Sequence, residues 1–224
     1  MHFRIRKDIG DFKQRVGCMP IRIIDITEDA EYEDYLFKCL ANFPFARHRR
    51  RIEYLKDAVQ KGFHKKLLIF NGDVVGQIEY SPAEVSYYPI TGKNLIVLNC
   101  IWVLRKAKGH NFGKMLLESM LEDEKKSSSI ATIALENHWS PWFKKWQIER
   151  LGFQSLDSLK VQHKTKYKHR NFSIYLMWIR NRKEAVQPTW NKQKLLEGIP
   201  YCIAHPLYHP QSYQEKCILN PVNS

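Results

Sequence analysis

Apolar residues recur along the first part of the chain with the periods of strands and helices. Residues 21–23 alternate in polarity and predict a first strand. Thr27 then serves as an N-cap, and spacings of three and four predict a buried helix face that ends near Pro44. The apolar positions of this face are Tyr32, Tyr35, Leu36, Cys39, Leu40 and Phe43. A second helix is predicted from about Arg47 to Gly62.

The middle of the chain predicts a hairpin followed by a central strand. Residues 67–70 and 74–80 are joined by Asn-Gly-Asp at 71–73, and an asparagine-glycine pair favours a tight antiparallel turn. A polar segment, residues 81–93, comes next. Residues 95–103 are apolar at nearly every position, which predicts a strand that is buried on both faces.

The second half of the chain predicts alternating helices and strands. The predicted elements are a helix over about 112–125, a strand over 130–135, a helix from Ser140-Pro141 to Gly152, an edge segment from Phe153, an exposed lysine-rich loop over 160–170 and a strand over 174–179. The whole order predicts a mixed α/β fold, in which one mixed, mostly antiparallel sheet is flanked by helices.

Composition limits the class of protein. A chain of 224 residues that is 44% apolar is typical of a globular protein. We expect one domain over 19–182, a basic N-terminal extension over 1–18 and an appended C-terminal segment over 183–224. The longest apolar run is far shorter than the roughly 20 residues of a membrane helix, and the first residues lack the apolar stretch of a signal peptide. Five scattered cysteines favour a reducing cytosol, so we expect a cytoplasmic protein. The oligomeric state, monomer or homodimer, stays open.

The net charge indicates a preference for anions. Basic side chains outnumber acidic ones by 36 to 23, and the formal net charge is +13. Such a potential attracts phosphorylated small molecules and nucleic acids alike, and charge alone does not separate the two. A lysine surplus that only solvates the protein is a third explanation.

A basic turn follows the predicted central strand and leads into a helix. Gly109 and Gly113 allow the backbone to approach a phosphate closely. The N–H groups and the dipole of the helix N-terminus point at the same place. The cations of the turn are Arg105, Lys106, Lys108 and Lys114. The segment therefore predicts an anion-binding site, with a solvated basic turn as the alternative.

This turn carries a resemblance to a known family. Residues 108–113, Lys-Gly-His-Asn-Phe-Gly, resemble the Q/R-x-x-G-x-G/A signature of the GNAT superfamily of N-acetyltransferases. Lys108 replaces the usual Gln or Arg, and Asn111 replaces the first Gly, although Asn tolerates the left-handed conformation well. Residues 148–153, Ile-Glu-Arg-Leu-Gly-Phe, resemble the helix-to-strand ending of that family. The resemblance covers about residues 20–180 and implies a GNAT-like α/β fold. Residues 78–84 and 99–103 resemble an uncharacterised GNAT-like subgroup.

The resemblance implies that acetyl-CoA is the co-substrate and that an amine attacks its thioester directly. Backbone groups near Trp102, Val103 and Leu104 would hold the pantetheine arm, and the basic turn would hold the pyrophosphate. The cofactor-binding residues implied in this way are Trp102, Val103, Leu104, Arg105, Lys108, Gly109, His110, Asn111, Phe112, Gly113 and Lys114.

Two positions depart from the catalytic pattern of the family. Its general base is often a Glu on the central strand, which here has none, so Glu79 and Glu84 are the candidates, with surface charges as the alternative. Its general acid is often a tyrosine at the position that Ile148 occupies, so His138 becomes the candidate, against a capping or surface histidine. Cys100 is either a nucleophile or an inert buried thiol.

Arg49, Arg50 and Arg51 begin the second helix, where the helix dipole disfavours cations. Since this region borders the acceptor site in the family, the three arginines predict binding of an anionic acceptor or an RNA, with a solvated basic face as the alternative.

The C-terminal segment holds four residues of metal-ligand type, namely Cys202, His205, His209 and Cys217. Their spacing matches no standard zinc site, and Pro206 interrupts it, so we predict no metal. The segment otherwise packs against the domain or lines its cleft.

Three functions compete at this point. The first is an acetyl-CoA-dependent N-acetyltransferase with an unidentified amine acceptor. The second is an RNA-binding or tRNA-acting protein with the same fold. The third is an acyl-CoA-binding domain without catalysis.

Overall fold

A nine-stranded sheet runs through the protein, in a computed structural model that describes residues 15–16, 19–27, 33–40, 48–166, 170–209 and 217–222. The strands among these residues are β1 Arg15–Val16, β2 Met19–Asp25, β3 His64–Phe70, β4 Asp73–Pro82, β5 Ile90–Thr91, β6 Leu95–Val103, β7 Ser129–Glu136, β8 Gln154–His163, β9 Asn171–Arg180, β10 Thr189–Trp190 and β11 Leu219–Pro221. The order in the sheet is β1-β2-β3-β4-β6-β7-β9-β8-β11, and β10 pairs separately with β5.

Helices cover this sheet. Within the described ranges they are α1 Glu33–Phe37, α2 Arg49–Ala58, α3 Phe112–Asp123, α4 Lys145–Arg150 and α5 Lys192–Leu195. Every pair of neighbouring strands in the large sheet is antiparallel except β6 and β7. The predicted mixed α/β class with a mostly antiparallel sheet is confirmed. No helix in the described part of the chain is long and apolar enough to span a membrane.

The predicted hairpin forms as the sequence indicates. Asn71 and Gly72 both have positive φ, 56° and 82°, which is the backbone of the tight turn that matches the twist of two antiparallel strands. β4 continues the sheet to β6, whose first six residues are buried. Asn99 is skipped in the register with β4, because Glu79 pairs with Cys100 while Tyr80 pairs with Leu98. This β-bulge bends β6 near its middle.

The two parallel strands separate after a short contact. β6 and β7 pair at three positions, from Leu95 with Ser129 to Val97 with Ala131. The Thr132 hydroxyl then donates to the carbonyl of Leu98 at 2.7 Å. Beyond that point β6 runs to Val103 and β7 to Glu136 without further pairing between them in the described residues. A gap therefore opens between two adjacent strands in the middle of the sheet.

Helix α3 packs on one face of the sheet beside this gap. Its buried residues are Phe112, Met115, Leu116, Leu117 and Met120, close to the predicted inner face. Leu116 packs over Gly76 of β4, where a Cβ would lie 3.2 Å from the leucine side chain. This close approach holds α3 against β4, and residues 104–111 connect the end of β6 to the N-terminus of α3.

Two predicted helices are shorter than expected. α1 ends at Phe37 because Lys65 donates to the carbonyl of Lys38 at 2.6 Å and Gln77 accepts from the N–H of Leu40 at 3.2 Å. These bonds redirect the chain away from the helix. The predicted positions Tyr32, Phe43 and Pro44 lie outside the described residues.

The second shortened helix is α4, which begins at Lys145 and not at Ser140. Phe143 has a φ of 41°, which a right-handed helix excludes, and its carbonyl accepts from the N–H of Leu135 at 2.8 Å. Residues 137–144 form a loop for this reason.

The prediction of an exposed loop over 160–170 is wrong for its first residues. β8 extends to His163, and both Val161 and His163 are buried between β9 and β11. The C-terminal segment therefore adds β11 to the edge of the large sheet, and the predicted edge segment from Phe153 is covered along its last residues.

Candidate functional site

The basic turn after β6 has the geometry of an open anion site. Asn111 adopts the left-handed conformation with φ 57°, and Gly109 has φ 94°. A Cβ at Gly109 or Gly113 would meet nothing within 4 Å, so the backbone is open to a ligand on this side. No side chain caps the N-terminus of α3, and its first turn holds no acid. The free N–H groups and the helix dipole therefore face solvent.

The cations of the turn lie on the surface around this N-terminus. Arg105, Lys108 and Lys114 are exposed. Lys106 forms an ion pair with Asp73 at 2.5 Å, and Lys114 lies 3.7 Å from Glu118. His110 is stacked on Phe112 with ring centroids 5.1 Å apart, and Phe112 itself is buried. The buried side chain of Phe112 anchors the backbone of the turn, while the cations of the turn stay exposed.

The end of β6 presents alternate backbone groups to the gap. The N–H of Leu104 donates to the carbonyl of Val75 at 2.8 Å, on the β4 side. Because successive N–H groups of a strand point in opposite directions, Trp102 also faces β4, while Ile101 and Val103 face the gap. Of the three residues predicted to hold a pantetheine arm by their backbone, Val103 has the N–H oriented for that contact.

A cavity of about 270 Å³ lies beside the gap. It is lined by Cys39, Cys100, Trp102, Trp139, Ser140, Pro141, Trp142, Lys166, Cys202, Ile203, Ala204, His205 and Pro206. Five separate parts of the chain meet there: the residues after α1, β6, the loop after β7, the residues after β8 and the C-terminal segment. Trp142 is stacked on Phe143 at 3.9 Å and contacts His205 at 4.1 Å, whereas Trp139 is 54% exposed at the rim. Sequence reasoning missed most of this lining, and its best signal was the cluster of aromatic residues at 139–143.

Glu79, a predicted general base, lies in a buried ion cluster behind the cavity. Its Oε1 is 2.5 Å from Arg51 Nη2 and 3.1 Å from Lys65 Nζ, and all three side chains are 3% exposed or less. Gln77 donates to the same oxygen at 3.3 Å and to Cys100 Sγ at 3.5 Å. Burial would raise the pKa of Glu79, but the charges of Arg51 and Lys65 outweigh it and hold the pKa below its ordinary value. Glu79 is thus ionised, already paired and a weak proton acceptor.

The other predicted catalytic residues lie apart from one another. Glu84 is exposed in the turn after β4 and lines neither this cavity nor the smaller one near His138. His138 is buried, accepts from the N–H of Ser140 at Nδ1 (3.1 Å) and contacts His163, Nε2 to Nε2, at 3.2 Å. The proton of His138 is therefore on Nε2 and is donated to His163.

The pair of histidines is neutral. Burial, the neighbouring His163 and the lysines Lys144 and Lys166 lower the pKa of His138 to about 3. Burial, Lys166 and His209 lower the pKa of His163 to about 4. Since the Nε2 of His163 accepts, its own proton is on Nδ1, which is buried without a hydrogen-bond partner among the described residues. The predicted role of His138 as an acid lacks support from this arrangement.

The three arginines of α2 do not share one surface. Arg49 is exposed and pairs with Glu53 at 2.8 Å, whereas Arg51 is buried against Glu79. Arg51 thus belongs to the interior, and Arg50 is half-buried. Binding of an anionic acceptor or of RNA by this run stays a prediction.

The four residues of metal-ligand type in the C-terminal segment have separate partners. His205 contacts the Tyr88 hydroxyl at 3.2 Å, His209 contacts Thr165, and Cys217 lies 4.0 Å from Gln193. Within the described residues, no group of three or more His, Cys, Asp or Glu side chains is placed to hold a metal ion.

The sequence was compared with protein-family models and with curated proteins. No protein-family model matches the chain. In sequence, the chain is 28% identical over 109 residues to an uncharacterized N-acetyltransferase, YoaP, of Bacillus subtilis (strain 168). The match covers 46% of this chain and only 40% of YoaP, so it spans less than half of that relative.

Solved structures give the fold. A protein assigned to the GNAT acetyltransferases from Desulfovibrio desulfuricans superposes with a TM-score of 0.51 at 15% identity, over 73% of this chain and 99% of that one. A GNAT acetyltransferase from Elizabethkingia anophelis with acetyl-CoA bound gives a TM-score of 0.48 at 14% identity, over 71% of this chain and 97% of its own. The chain has the fold of the GNAT superfamily of N-acetyltransferases, which are acyltransferases, and the resemblance found in the sequence is confirmed.

Proposed function

We propose that the protein transfers the acetyl group of acetyl-CoA to an amine. The observation that carries the proposal is the gap between β6 and β7, since the basic turn follows the end of β6 and the cavity is lined by β6 and by the loop after β7. An extended pantetheine chain fits between two separated strands, because their unpaired backbone groups supply hydrogen bonds.

The residues at the turn suit the phosphates of this co-substrate. Gly109 and Gly113 leave open space beside the backbone, α3 presents its uncapped N-terminus, and Arg105 and Lys108 add exposed charge. The N–H groups of Ile101 and Val103 point into the gap and would stabilise negative charge that develops on the thioester oxygen. Acetyl-CoA supplies an activated acyl group, and the chain supplies orientation and charge stabilisation.

Calorimetric titration tests the binding half of the proposal. The double variant Arg105→Ala/Lys108→Ala should weaken acetyl-CoA binding about 5- to 30-fold, with a smaller loss at high salt. The matched control is Lys126→Ala, beyond the C-terminal end of α3 and roughly 18 Å along the helix from the turn. Equal weakening by the control, or no saturable binding by the unaltered protein, would refute the assignment of the turn.

Release of CoA thiol in the presence of amines tests the transfer half. A specific observation favours a second function, binding of an acyl-CoA without catalysis: Glu79 is held by two cations, and Ile148 is buried where a catalytic tyrosine is usual. Tight acetyl-CoA binding with no thiol release on any amine would favour this second function.

A further inference from the structure

The cavity beside the gap has walls that suit a flat ring. Trp102, Trp139 and Trp142 supply three indoles, and His205 packs edge-on against Trp142. A volume of about 270 Å³ is near the lower limit of roughly 300 Å³ for ligand pockets, so the occupant is small. The exposed Trp139 at the rim leaves an entrance beside the loop after β7. The inference that follows depends on the proposed acetyl transfer.

The electrostatics of the cavity disfavour a cationic occupant. Lys166 is the charged residue among the described lining residues, and no carboxylate is among them. Behind the cavity, the carboxylate of Glu79 is already paired with both Arg51 and Lys65, so it is not available to a further cation. An ammonium group would therefore enter a positive field without a counter-ion.

Among the described residues, the lining also holds no group prepared to accept a proton. His205 accepts from the N–H of Leu207 at Nδ1 (3.0 Å), so its own proton lies on Nε2 and is directed at the Tyr88 hydroxyl. Tyr88 in turn donates to the carbonyl of Asn99 at 2.8 Å. Burial raises the pKa of Cys100, and a hydrogen bond that the Cys202 thiol donates to Cys39, together with burial, raises the pKa of Cys202, so both thiols are protonated. An amine that arrives protonated has no base here to deprotonate it.

The geometry points to a small primary aromatic amine as the acceptor, one whose ring withdraws the nitrogen lone pair so that the nitrogen is unprotonated at neutral pH. An anionic substituent on the ring would pair with Lys166. In the reaction, the amine lone pair forms the carbon–nitrogen bond, the carbon–sulfur bond breaks with its electron pair on sulfur, and one amine proton passes to the thiolate. The products are an N-acetyl arylamine and CoA.

Two acceptors that differ by one methylene test this inference. Aniline is largely unprotonated at pH 7, whereas benzylamine is largely protonated. We expect kcat/KM for aniline to exceed that for benzylamine by at least about tenfold at pH 7, as follows from the lack of a base. We also expect the rate with aniline to be nearly flat between pH 6.5 and 8.5, and the rate with benzylamine to rise nearly tenfold per pH unit.

Three variants connect the acceptor to the cavity. Trp139→Leu at the exposed rim should raise KM for aniline several-fold and leave acetyl-CoA binding unchanged. Lys166→Met should remove the preference for 4-aminobenzoate over aniline, and Lys160→Met, on an exposed position of β8, should keep it. Quenching of tryptophan fluorescence by 4-aminobenzoate gives a readout independent of turnover and should weaken in Lys166→Met.

The outcomes separate this inference from the proposed function. If acetyl-CoA binds and benzylamine or a peptide amine is acetylated at pH 7 as fast as aniline, the inference is refuted while acetyl transfer stands. If acetyl-CoA binds and no arylamine reacts, the inference is refuted as well. If acetyl-CoA does not bind, the proposed function fails first.

Discussion

The basic turn and the cavity beside the gap are built in opposite ways. The turn is a continuous segment with exposed cations, an uncapped helix N-terminus and open space beside two glycines. The cavity is assembled from distant segments, and the ionic groups behind it are buried and paired.

The difference indicates a division of work. An exposed cation keeps its hydration until a phosphate replaces it, so the turn can be altered at small cost to stability. A buried charge must be paired to remain in the interior, so the surroundings of the cavity are fixed by folding itself. Substitutions in the turn should therefore change stability little, whereas substitutions in the buried surroundings of the cavity should destabilise the protein.

The largest effect is expected from the buried ion cluster. Glu79→Gln leaves Arg51 and Lys65 without a counter-ion in the interior, which should lower the free energy of unfolding by about 3–5 kcal/mol. Urea denaturation measures this change. The control on the turn side is Glu118→Gln, which removes the exposed partner of Lys114 and should change stability by less than about 1 kcal/mol. Similar losses in the two variants would break the contrast.

The next effect compares two glycines with positive φ. A Cβ at Gly198, with φ 77°, would overlap Ile218 and lie 2.5 Å from the carbonyl of Leu207, so Gly198→Ala should cost about 2–5 kcal/mol. A Cβ at Gly109 in the turn would meet open space. Gly109→Ala should therefore lower the free energy of unfolding only by the strain of the positive φ, about 1–2 kcal/mol. Thermal denaturation of both variants checks the difference, and equal costs would contradict the tight packing of the C-terminal segment.

A smaller effect depends on pH. The pKa values of His138 and His163, about 3 and about 4, lie below the ordinary value of 6.5, so the unfolded chain binds more protons between pH 4 and 6.5. Stability should therefore fall as the pH decreases through this window, by about 1–2 kcal/mol between pH 7 and 5 after allowance for solvent screening.

The double variant His138→Asn/His163→Asn isolates this contribution. Asp25 and His64 form an ion pair elsewhere that persists in both proteins, so its contribution cancels in the comparison. Urea midpoints at the two pH values should differ less in the double variant than in the unaltered protein. An unchanged difference would show that the histidine pair does not titrate in the way its surroundings indicate.

The smallest effect concerns Asn111 in the turn. Asn111→Gly keeps the left-handed conformation and should change stability by less than about 0.5 kcal/mol, whereas Asn111→Ala should cost about 1–2 kcal/mol. Denaturant midpoints measure both changes. A large loss with Gly would mean that the asparagine side chain has a role beyond its backbone conformation.

Local features of the sequence predicted the turn and the strands well. The Asn71-Gly72 turn, the buried strand 95–103 and the left-handed Asn111 depend on neighbouring residues, and each is seen in the structure. The end of α1 depends instead on contacts with Lys65 and Gln77, which are distant in sequence, and the loop over 137–144 depends on a bond from Leu135 back to Phe143 that breaks the helical pattern. Propensity could not reveal them.

The candidate site also divides into residues that the local sequence identified and contacts that it could not predict. The residues of the turn are adjacent in the chain, so a motif could identify them. Glu79 and His138 were chosen for their chemical type. Their real surroundings are two cations on α2 and β3 for Glu79 and a second histidine on β8 for His138, and only the fold brings these elements together. Residue type identifies a titratable group, but tertiary contacts decide its proton affinity.

The C-terminal segment has a consequence for the order in which the protein matures during synthesis. Residues 202–206 form one wall of the cavity, and β11 is the last strand to join the sheet. A nascent chain that has folded through β9 already contains the turn and the gap, but its cavity lacks that wall. The residues proposed to bind acetyl-CoA would thus be in place on the ribosome before the last wall of the proposed acceptor cavity.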